Sequence, residues 1–346
     1  MQFAFDDRQL EFRAQLRAFA EKQCTGPDLR AAWESELGWS PARWRSLAEM
    51  GVVGLRIPEV YGGLGLDEVD LVLLLEEVGR SGLPEPLLET TALGVPLLSE
   101  APGRAGEAAR ERWLARVAAG EAVLTFALSS ATAVSAVPGA QLLLLEHQGT
   151  VHAVDVDAVD HVPIRSVDGS RRLARVAWEP SPRTALASGA AAADLVSCTV
   201  DRAAFGAASV LIGVADRMIA MATQYAIERH QFGRAIGSFQ AVKHHLSNAL
   251  IRLEFARPVV YRAAWSIAER SPTASRDASM AKAHASDAAT LAARSALQVH
   301  GAIGYTWEHD LHLWLKRAWS LAASWGDAPS HRARVLEFLV DEVASR

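Results

Sequence analysis

Cysteine is nearly absent from this sequence of 346 residues, in which only Cys24 and Cys198 occur. Two cysteines are too few for a disulfide framework or for a metal site built from thiolates. A strong excess of charge of one sign is also missing, because 40 acidic residues against 35 basic ones give a formal net charge of −5. Binding to nucleic-acid phosphates needs a clustered surplus of Lys and Arg. The composition therefore argues against a disulfide scaffold and against a nucleic-acid partner.

Long apolar runs are missing as well. No stretch approaches the ~18 uninterrupted apolar residues that a membrane-spanning helix needs. The N-terminus is charged from Asp6 onward and contains no apolar signal core. We therefore expect a cytoplasmic protein that has no membrane partner. Half of the residues are hydrophobic and 22% are charged, so the chain can bury a sizeable core.

Hydrophobic periodicity divides the chain into three predicted domains. Residues 1–120 have apolar side chains at three-to-four spacing, which predicts an N-terminal helical domain. Residues 121–200 contain short apolar runs, several of them rich in valine, separated by turns, and they predict a shortened antiparallel β domain. The predicted strands are 122–128, 140–147, 150–156, 171–179 and 194–200. Residues 201–346 predict long helices in a C-terminal four-helix bundle. The predicted fold class is α+β.

Local signals predict several element boundaries. Ser40 followed by Pro41 is typical of an N-cap and the first helical residue, and a glycine-rich loop runs from Gly51 to Asp67. The expected bundle helices cover 205–229, 239–269 with a kink at Pro258, 275–300 and 330–345. No GxGxxG follows a predicted strand, so a nicotinamide-binding Rossmann domain has no support.

Three segments resemble one known family. Residues 229–240 read RHQFGRAIGSFQ, residues 298–305 read QVHGAIGY, and residues 57–66 read IPEVYGGLGL. They are similar to the R-x-x-F-G-x-x-I-x-x-F-Q, Q-x-x-G-G-x-G-Y/F and P-E-x-Y-G-G-x-G blocks of the acyl-CoA dehydrogenase family, in the family's order. This resemblance covers nearly the whole chain and implies the family's fold. It also implies FAD-dependent α,β-dehydrogenation of an acyl-CoA thioester, with electron-transfer flavoprotein as the acceptor.

The resemblance assigns cofactor-binding roles to particular residues. Arg229 is similar to the arginine that binds the FAD diphosphate, and Phe232 is similar to the residue that packs on the adenine. Further residues that the resemblance places at FAD are Gln231, Gln240, Gln298, His300, Gly301 and Gly304. In the family these groups reach the flavin of a neighbouring protomer, which implies a dimer or tetramer. Taken in isolation, Arg229 could also be a solvated helix end and Phe232 a core residue.

The sequence departs from the family where the flavin ring would be covered. Residues 128–135 read LSSATAVS where typical members have T-E-P-x-x-G-S-D. Only Ser129 stands where the family's threonine hydroxyl would meet the flavin. The tryptophan-containing strand that follows in typical members has no counterpart here.

A second departure concerns the catalytic base. A desolvated carboxylate suits removal of the proton at Cα while a hydride leaves Cβ. Counting without gaps, Trp325 occupies the place of the family's usual glutamate. Asp327, two residues on, is a reserve candidate for the base, although it aligns with a residue that touches the cofactor in the family. Asp201 lies near the predicted start of the first bundle helix, where some branches carry their base. Asp201 therefore has two interpretations, a base or the N-cap of that helix.

Metal chemistry has little support. Residues 308–312 read EHDLH, in which side chains four apart share a helix face. The segment is not H-E-x-x-H, and no repeated Glu-x-x-His pair suggests a di-iron bundle. We therefore predict no metal.

The short length, the reduced β region and the missing glutamate resemble one subunit of the two-subunit acyl-CoA dehydrogenases of actinobacteria. Those enzymes pair a fuller catalytic chain with a shortened partner and act on bulky substrates such as sterol side-chain CoA esters. Three hypotheses remain: a subunit of such a heteromer, a self-sufficient homo-oligomer with an unrecognised base, or a non-catalytic scaffold or acyl-CoA-binding protein. Flavin in the chain purified alone would favour the second, and flavin that appears only with a partner would favour the first.

Overall fold

The computed structural model describes residues 4–344 of the chain. The helices are α1 (Asp7–Gln23), α2 (Gly26–Glu34), α3 (Pro41–Glu49), α4 (Glu68–Ser81), α5 (Val95–Glu100), α6 (Gly103–Ala118), α7 (Gly189–Glu228), α8 (Gln240–Ala268), α9 (Ala274–His300), α10 (Leu311–Ala323) and α11 (Ala328–Ala344). The strands are β1 (Leu124–Ala127), β2 (Val134–Ser135), β3 (Leu142–His147), β4 (Thr150–Asp155), β5 (Asp160–Ile164), β6 (Leu173–Ala177), β7 (Ala185–Ser188), β8 (His230–Gln231) and β9 (Arg234–Ala235). The predicted α+β class is confirmed.

The chain forms two compact units. The first contains residues 1–26, 72–83 and 204–346, and the second contains residues 27–71 and 84–203. This division differs from the three consecutive domains expected from the sequence, because α4 and α7 each contribute residues to both units. The three-domain division stays a prediction about the chain's organisation.

The second unit contains two small sheets. One has the strand order β1-β3-β4-β7 and the other β2-β6-β5. The strands predicted around residues 124, 142, 150 and 173 are confirmed, and the pairing is antiparallel except that β1 and β3 run parallel. Ser40 caps α3 as predicted, since its hydroxyl accepts the Arg43 N–H at 3.3 Å.

The loop before β6 is locked by buried polar groups. The fully buried carboxylate of Asp168 accepts hydrogen bonds from the backbone N–H and the hydroxyl of Ser170, at 3.0 and 2.7 Å. The Arg172 guanidinium donates to the backbone oxygens of Trp33, Ser35 and Glu36. This segment therefore joins β6 to the end of α2 within the second unit.

The first unit is a helical bundle built around α7, α8 and α9. The predicted helix over 275–300 is confirmed as α9, and α8 continues through Pro258. The alanines of α9 are buried almost throughout, which lets α8, α10 and α11 pack against it. The turn of α4 that carries Gly79 packs against α7 within this unit. A Cβ on Gly213 of α7 would lie 1.8 Å from the Glu76 carbonyl oxygen, so this crossing requires glycine.

The strand predicted at residues 194–200 is wrong. These residues lie inside α7, which begins at Gly189 and continues to Glu228. The run of alanines at 190–193 supplies strong helix formers at the start, and they outweigh the short β-branched pattern that follows. The early start also overturns the N-cap interpretation of Asp201, because that residue lies about three turns inside the helix.

Helix α7 is long and apolar enough by composition to cross a membrane, although a charge-free run of 18 residues is missing. Its most apolar window is 78% buried inside the protein. The core helix of a globular protein has the same properties, so its length and composition are weak support for a membrane span.

Candidate functional site

The segment from Arg229 to Phe239 forms a short hairpin after the last turn of α7. Strands β8 and β9 pair His230 with Ala235 and Gln231 with Arg234. The connecting residues, Phe232 and Gly233, have φ angles of +53° and +77°. Two successive positive φ angles are typical of a type I′ turn, for which glycine is well suited and phenylalanine is not.

The hairpin presents an aromatic ring and a cation to solvent. Phe232 is 92% exposed, and its ring touches Phe239 edge-on with centroids 6.1 Å apart. The Arg234 guanidinium lies 4.1 Å from the centroid of the same Phe239 ring, which stabilises the hairpin. The side chain of Arg229 is exposed, and within residues 4–344 its guanidinium makes no hydrogen bond or ion pair. Arg229 is therefore available for a ligand.

The second predicted segment begins at the end of α9. Gln298 is exposed there, and Gly301 ends the helix with φ +63° and ψ −140°, a conformation that favours glycine. A Cβ on Gly301 would meet nothing within 4 Å, so the backbone is open on that side. Gly304 is buried, and a Cβ there would lie 2.9 Å from Leu297 Cδ1. The turn is thus open at its first glycine and packed at its second.

His300 belongs to the second segment and contacts the end of α7. Its Nδ1–H donates to the Ala296 carbonyl oxygen at 2.8 Å, and burial lowers the pKa of the imidazole, which keeps the ring neutral. Its Nε2 atom is buried and has no hydrogen-bond partner among the described residues. The ring stacks on Tyr225 of α7, with centroids 4.5 Å apart and planes 21° apart. This contact brings the ends of α7 and α9 together, and with them the two motifs.

Gln240 and Gln231 complete the group of predicted polar residues in the first unit. Gln240 is the first residue of α8 and is exposed, and Gln231 is exposed on β8. The N-terminus of a long helix offers unpaired N–H groups and a partial positive charge, which suit a phosphate. The sequence did not indicate Tyr225, because no motif residue marks it.

Ser129 belongs to the second unit and is already hydrogen-bonded. Its hydroxyl donates to Glu146 Oε2 at 2.6 Å, and its backbone N–H donates to the same oxygen at 3.1 Å. The residue is exposed at the end of β1. A flavin contact through this serine would therefore use its hydroxyl oxygen as an acceptor.

Asp201, also in the second unit, is buried, with 5% of its surface exposed. The neighbouring Arg202 is committed to other carboxylates: its Nε donates to Glu68 at 2.9 Å, and its two terminal nitrogens donate to Glu100 at 2.9 and 2.6 Å. Asp201 is therefore a buried carboxylate beside an arginine that is bound to two other carboxylates.

Trp325 lies in the loop between α10 and α11 and is half-buried, with φ +58°. The ammonium of the fully buried Lys282 donates to the carbonyl oxygens of Ala322 and Gly326, at 3.0 and 2.9 Å. His331 Nε2 donates to the Trp325 carbonyl oxygen at 2.9 Å. The loop is thereby fixed from α9 and α11, an arrangement that no sequence motif indicated.

Asp327, the reserve base candidate, caps α11. Its Oδ1 accepts the backbone N–H and the hydroxyl of Ser330, at 2.9 and 2.6 Å. Hydrogen bonding from Ser330 lowers the pKa of this exposed carboxyl group. A lowered pKa weakens a carboxylate as a proton acceptor, so Asp327 is better suited to capping than to catalysis.

The EHDLH segment has structural roles. His309 Nδ1 accepts the Leu311 N–H at 3.1 Å, at the start of α10, and its ring contacts His300 edge-on. Within residues 4–344, no group of three or more His, Cys, Asp or Glu side chains is close enough to hold a metal ion.

The first unit therefore carries a site with the chemistry of a phosphate-bearing aromatic cofactor. An uncommitted arginine, an exposed aromatic ring, a helix N-terminus and an open glycine turn are the groups that a diphosphate and an adenine require. The unpartnered Nε2 of His300 adds a buried acceptor between them. These residues have the chemistry to hold FAD.

Comparison with known proteins identifies the family. Residues 6–121 match the acyl-CoA dehydrogenase N-terminal domain, and residues 193–339 match its C-terminal domain. The chain is 35% identical to the acyl-CoA dehydrogenase IpdE2 of Mycolicibacterium smegmatis over 96% of this chain and 98% of that protein. The chain belongs to the acyl-CoA dehydrogenase family, whose members are FAD-dependent oxidoreductases.

Solved structures give the same fold. One, described as the Tcur3481-Tcur3483 steroid ACAD, is 26% identical with a TM-score of 0.88, and covers 98% of this chain and 99% of its own. The ChsE4-ChsE5 complex from Mycobacterium tuberculosis is 21% identical with a TM-score of 0.86, over 98% and 99% of the two chains. The second likeness concerns the fold alone.

Proposed function

We propose that this chain is one subunit of a heteromeric, cytoplasmic acyl-CoA dehydrogenase that oxidises a bulky acyl-CoA ester of the sterol side-chain type. The observation that carries the proposal is the pair of motifs joined by the Tyr225–His300 stack. In these motifs the side chains of Arg229, Phe232 and Gln298 are exposed, and His300 Nε2 has no partner among the described residues. Such groups are useful when they face a flavin held by a neighbouring chain. Its electron acceptor would be an electron-transfer flavoprotein.

FAD would be held by the first unit as follows. The Arg229 guanidinium would neutralise the diphosphate, and Phe232 would pack on the adenine. Gln231 and Gln298 would hydrogen-bond polar edges of the cofactor, while the open backbone at Gly301 would allow its close approach. Bound FAD supplies the acceptor for the hydride that leaves the acyl chain.

Exposed apolar side chains around this site support the presence of an interface with a neighbouring chain. Besides Phe232, the residues Tyr305 and Trp307 are 77% and 63% exposed, and Ile303 is 40% exposed. They follow Gly301 directly, so the glycine turn is bordered by apolar surface. Clustered exposed aromatics are typical of protein interfaces. A second subunit would cover them and close the cofactor site.

The absence of a glutamate at the family's usual base position favours a heteromer over a homo-oligomer. Trp325 cannot accept a proton, and its loop is fixed by Lys282 and His331 rather than free to bring another group forward. In this proposal a fuller partner chain supplies the main active site. The names Tcur3481-Tcur3483 and ChsE4-ChsE5 each join two designations, as expected for paired chains.

Within this chain, Asp201 is the best candidate base. The residue is buried, and the neighbouring Arg202 is bound to Glu68 and Glu100. The role of the chain's own residues would be to exclude water from the acyl group and to take the Cα proton at the Asp201 carboxylate.

The experiment is co-expression with a fuller-length acyl-CoA dehydrogenase chain from the same organism. The chain alone should carry little flavin, and the co-purified complex should be yellow, at least dimeric by sedimentation, and active on a steroid-type acyl-CoA. A yellow and active homo-oligomer would instead establish the self-sufficient enzyme. A colourless complex without activity would establish a scaffold and overturn the proposal.

A further inference from the structure

A polar cavity of about 290 Å³ lies in the first unit, among α1, α4, α7 and α10. Three arginines line it, Arg17, Arg80 and Arg217, together with Trp314. None of these residues belongs to the motifs that the proposed flavin site uses. The cavity is large compared with the ~30 Å³ that one water molecule occupies in the liquid. A small molecule therefore fits.

Two of the three arginines are committed to carboxylates. Arg17 binds the buried carboxylate of Glu77 through two nitrogens, with its Nε at 3.0 Å. Arg80 Nη1 donates to Asp216 Oδ2 at 2.6 Å. These pairs fix the walls of the cavity and leave little positive charge available from either residue.

Arg217 differs from the other two. Its Nε is buried and has no hydrogen-bond partner, and within residues 4–344 its guanidinium forms no ion pair. The guanidinium lies over the Trp314 ring, 5.2 Å from the centroid, and that ring is fixed because its Nε1–H donates to the Gly79 oxygen at 3.1 Å. Burial lowers the pKa of Arg217, and the neighbouring Arg80 lowers it further. Removing a guanidinium nitrogen from water without giving it a hydrogen-bond partner is unfavourable, and an anion in the cavity would compensate that cost.

The carboxylates around Arg217 compensate its charge only in part. Asp310, Asp216 and Glu21 attract Arg217 through space, but none of them is hydrogen-bonded to it. Asp216 is bound to Arg80. The carboxylate of Asp310 lies against Gly26, where a Cβ would be 2.2 Å from its Oδ2. The remaining acid, Glu21, is exposed at the cavity mouth.

We propose that this cavity binds the carboxylate or phosphate group of a small free metabolite on the Arg217 guanidinium. The planar guanidinium offers a two-pronged donor that matches either oxyanion. Trp314 fixes the plane of that donor from one side. The three arginines of the lining are formally balanced by Glu21, Glu77 and Asp310, so the site favours a small anion held by one guanidinium over a polyanion such as nucleic acid.

The test uses the full chain, alone and in its complex, with inorganic phosphate and acetate as probes. Each probe should raise the melting temperature saturably, beyond the effect of sodium chloride at the same ionic strength. Arg217→Gln should weaken binding at least about tenfold, because a charge-assisted contact is lost. A larger effect of acetate would identify a carboxylate ligand, and a larger effect of phosphate would identify a phosphate ligand.

Two further variants keep the test decisive. Glu21→Gln removes a negative charge from the cavity lining and should tighten phosphate binding. Arg217→Lys keeps the positive charge but loses the two-pronged donor, so this variant should bind phosphate more weakly than the natural chain. If Arg217→Gln does not fold, titration calorimetry of the natural chain and Glu21→Gln still decides. Equal effects of phosphate, acetate and chloride, or an unchanged response in Arg217→Gln, would overturn the proposal.

Discussion

Tyr225 and His300 stack face to face, with ring centroids 4.5 Å apart, and this contact joins the two halves of the proposed cofactor site. Tyr225 lies one helical turn before Arg229, and His300 lies directly before Gly301. The hairpin after α7 and the glycine turn after α9 therefore lie at the same end of the bundle, although about 70 residues separate them in the chain.

The first prediction concerns Arg229. Arg229→Ala should weaken FAD retention in the assembled enzyme by about ten- to a hundredfold, because a charge-assisted contact to phosphate contributes ~1.5–3 kcal/mol. The melting temperature should change little, since the exposed side chain makes no hydrogen bond or ion pair within the described part of the chain. The matched control is Arg234→Ala, which removes a charge from the same hairpin but loses only its stacking on Phe239. Equal flavin loss in both variants would contradict the assignment.

The second prediction concerns Asp201. If it is the base, Asp201→Asn should lower turnover at least about a hundredfold with flavin content and melting temperature nearly unchanged. The measurement is turnover per bound flavin, in the isolated chain and in the complex. Normal turnover of the variant complex would assign the proton to a carboxylate of another chain.

The third prediction concerns the crossing of α4 and α7. Helix propensity alone predicts that Gly213→Ala stabilises the protein by ~1 kcal/mol. The new Cβ would lie 1.8 Å from the Glu76 carbonyl oxygen, so we expect destabilisation by ~2 kcal/mol or more instead. Thermal melting gives the sign directly. Ala220→Gly, at an exposed position of the same helix, is the comparison and should cost ~1 kcal/mol.

The fourth prediction concerns Glu76, which is buried on α4 and receives a hydrogen bond from Arg257 at 2.7 Å. Burial raises the pKa of Glu76 to about 7, against the attraction of Arg257. The folded state therefore holds this proton at pH values where the unfolded chain has lost it. Stability contributed by the protonated group should fall as the pH rises from about 4.5 to about 7.

Glu76→Gln replaces the titrating carboxyl group with an amide, which has no proton to lose in this pH range. Between pH 5 and pH 7 (about the range set by the raised pKa), the melting temperature of the variant should fall less steeply than that of the natural chain. The readout is the difference between the two slopes, which cancels the contributions of other groups. Parallel curves would show that Glu76 does not change its protonation there.

The sequence by itself determined the local structure wherever one pattern dominated. The buried alanines of α9, the Ser40 cap and the glycine-rich loop before α4 each follow from short-range signals, which depend on neighbouring residues alone. The motifs likewise identified the family and singled out Arg229 and Gly301. The glycines and charged residues of these motifs can be recognised from their residue types and spacing alone.

Tertiary structure decided what depends on contacts between distant segments. Residues 194–200 have the composition of a strand but continue α7, because the preceding alanines and burial of the helix outweigh that local preference. Because α7 begins at Gly189, Asp201 lies buried inside the helix instead of capping it. The Tyr225–His300 stack and the Lys282 contacts to the Trp325 loop join residues at least 40 positions apart in the chain. The buried Nε of Arg217, which has no hydrogen-bond partner, is likewise visible only in the folded chain. No periodicity or motif encodes them, since packing in three dimensions selects which side chains meet.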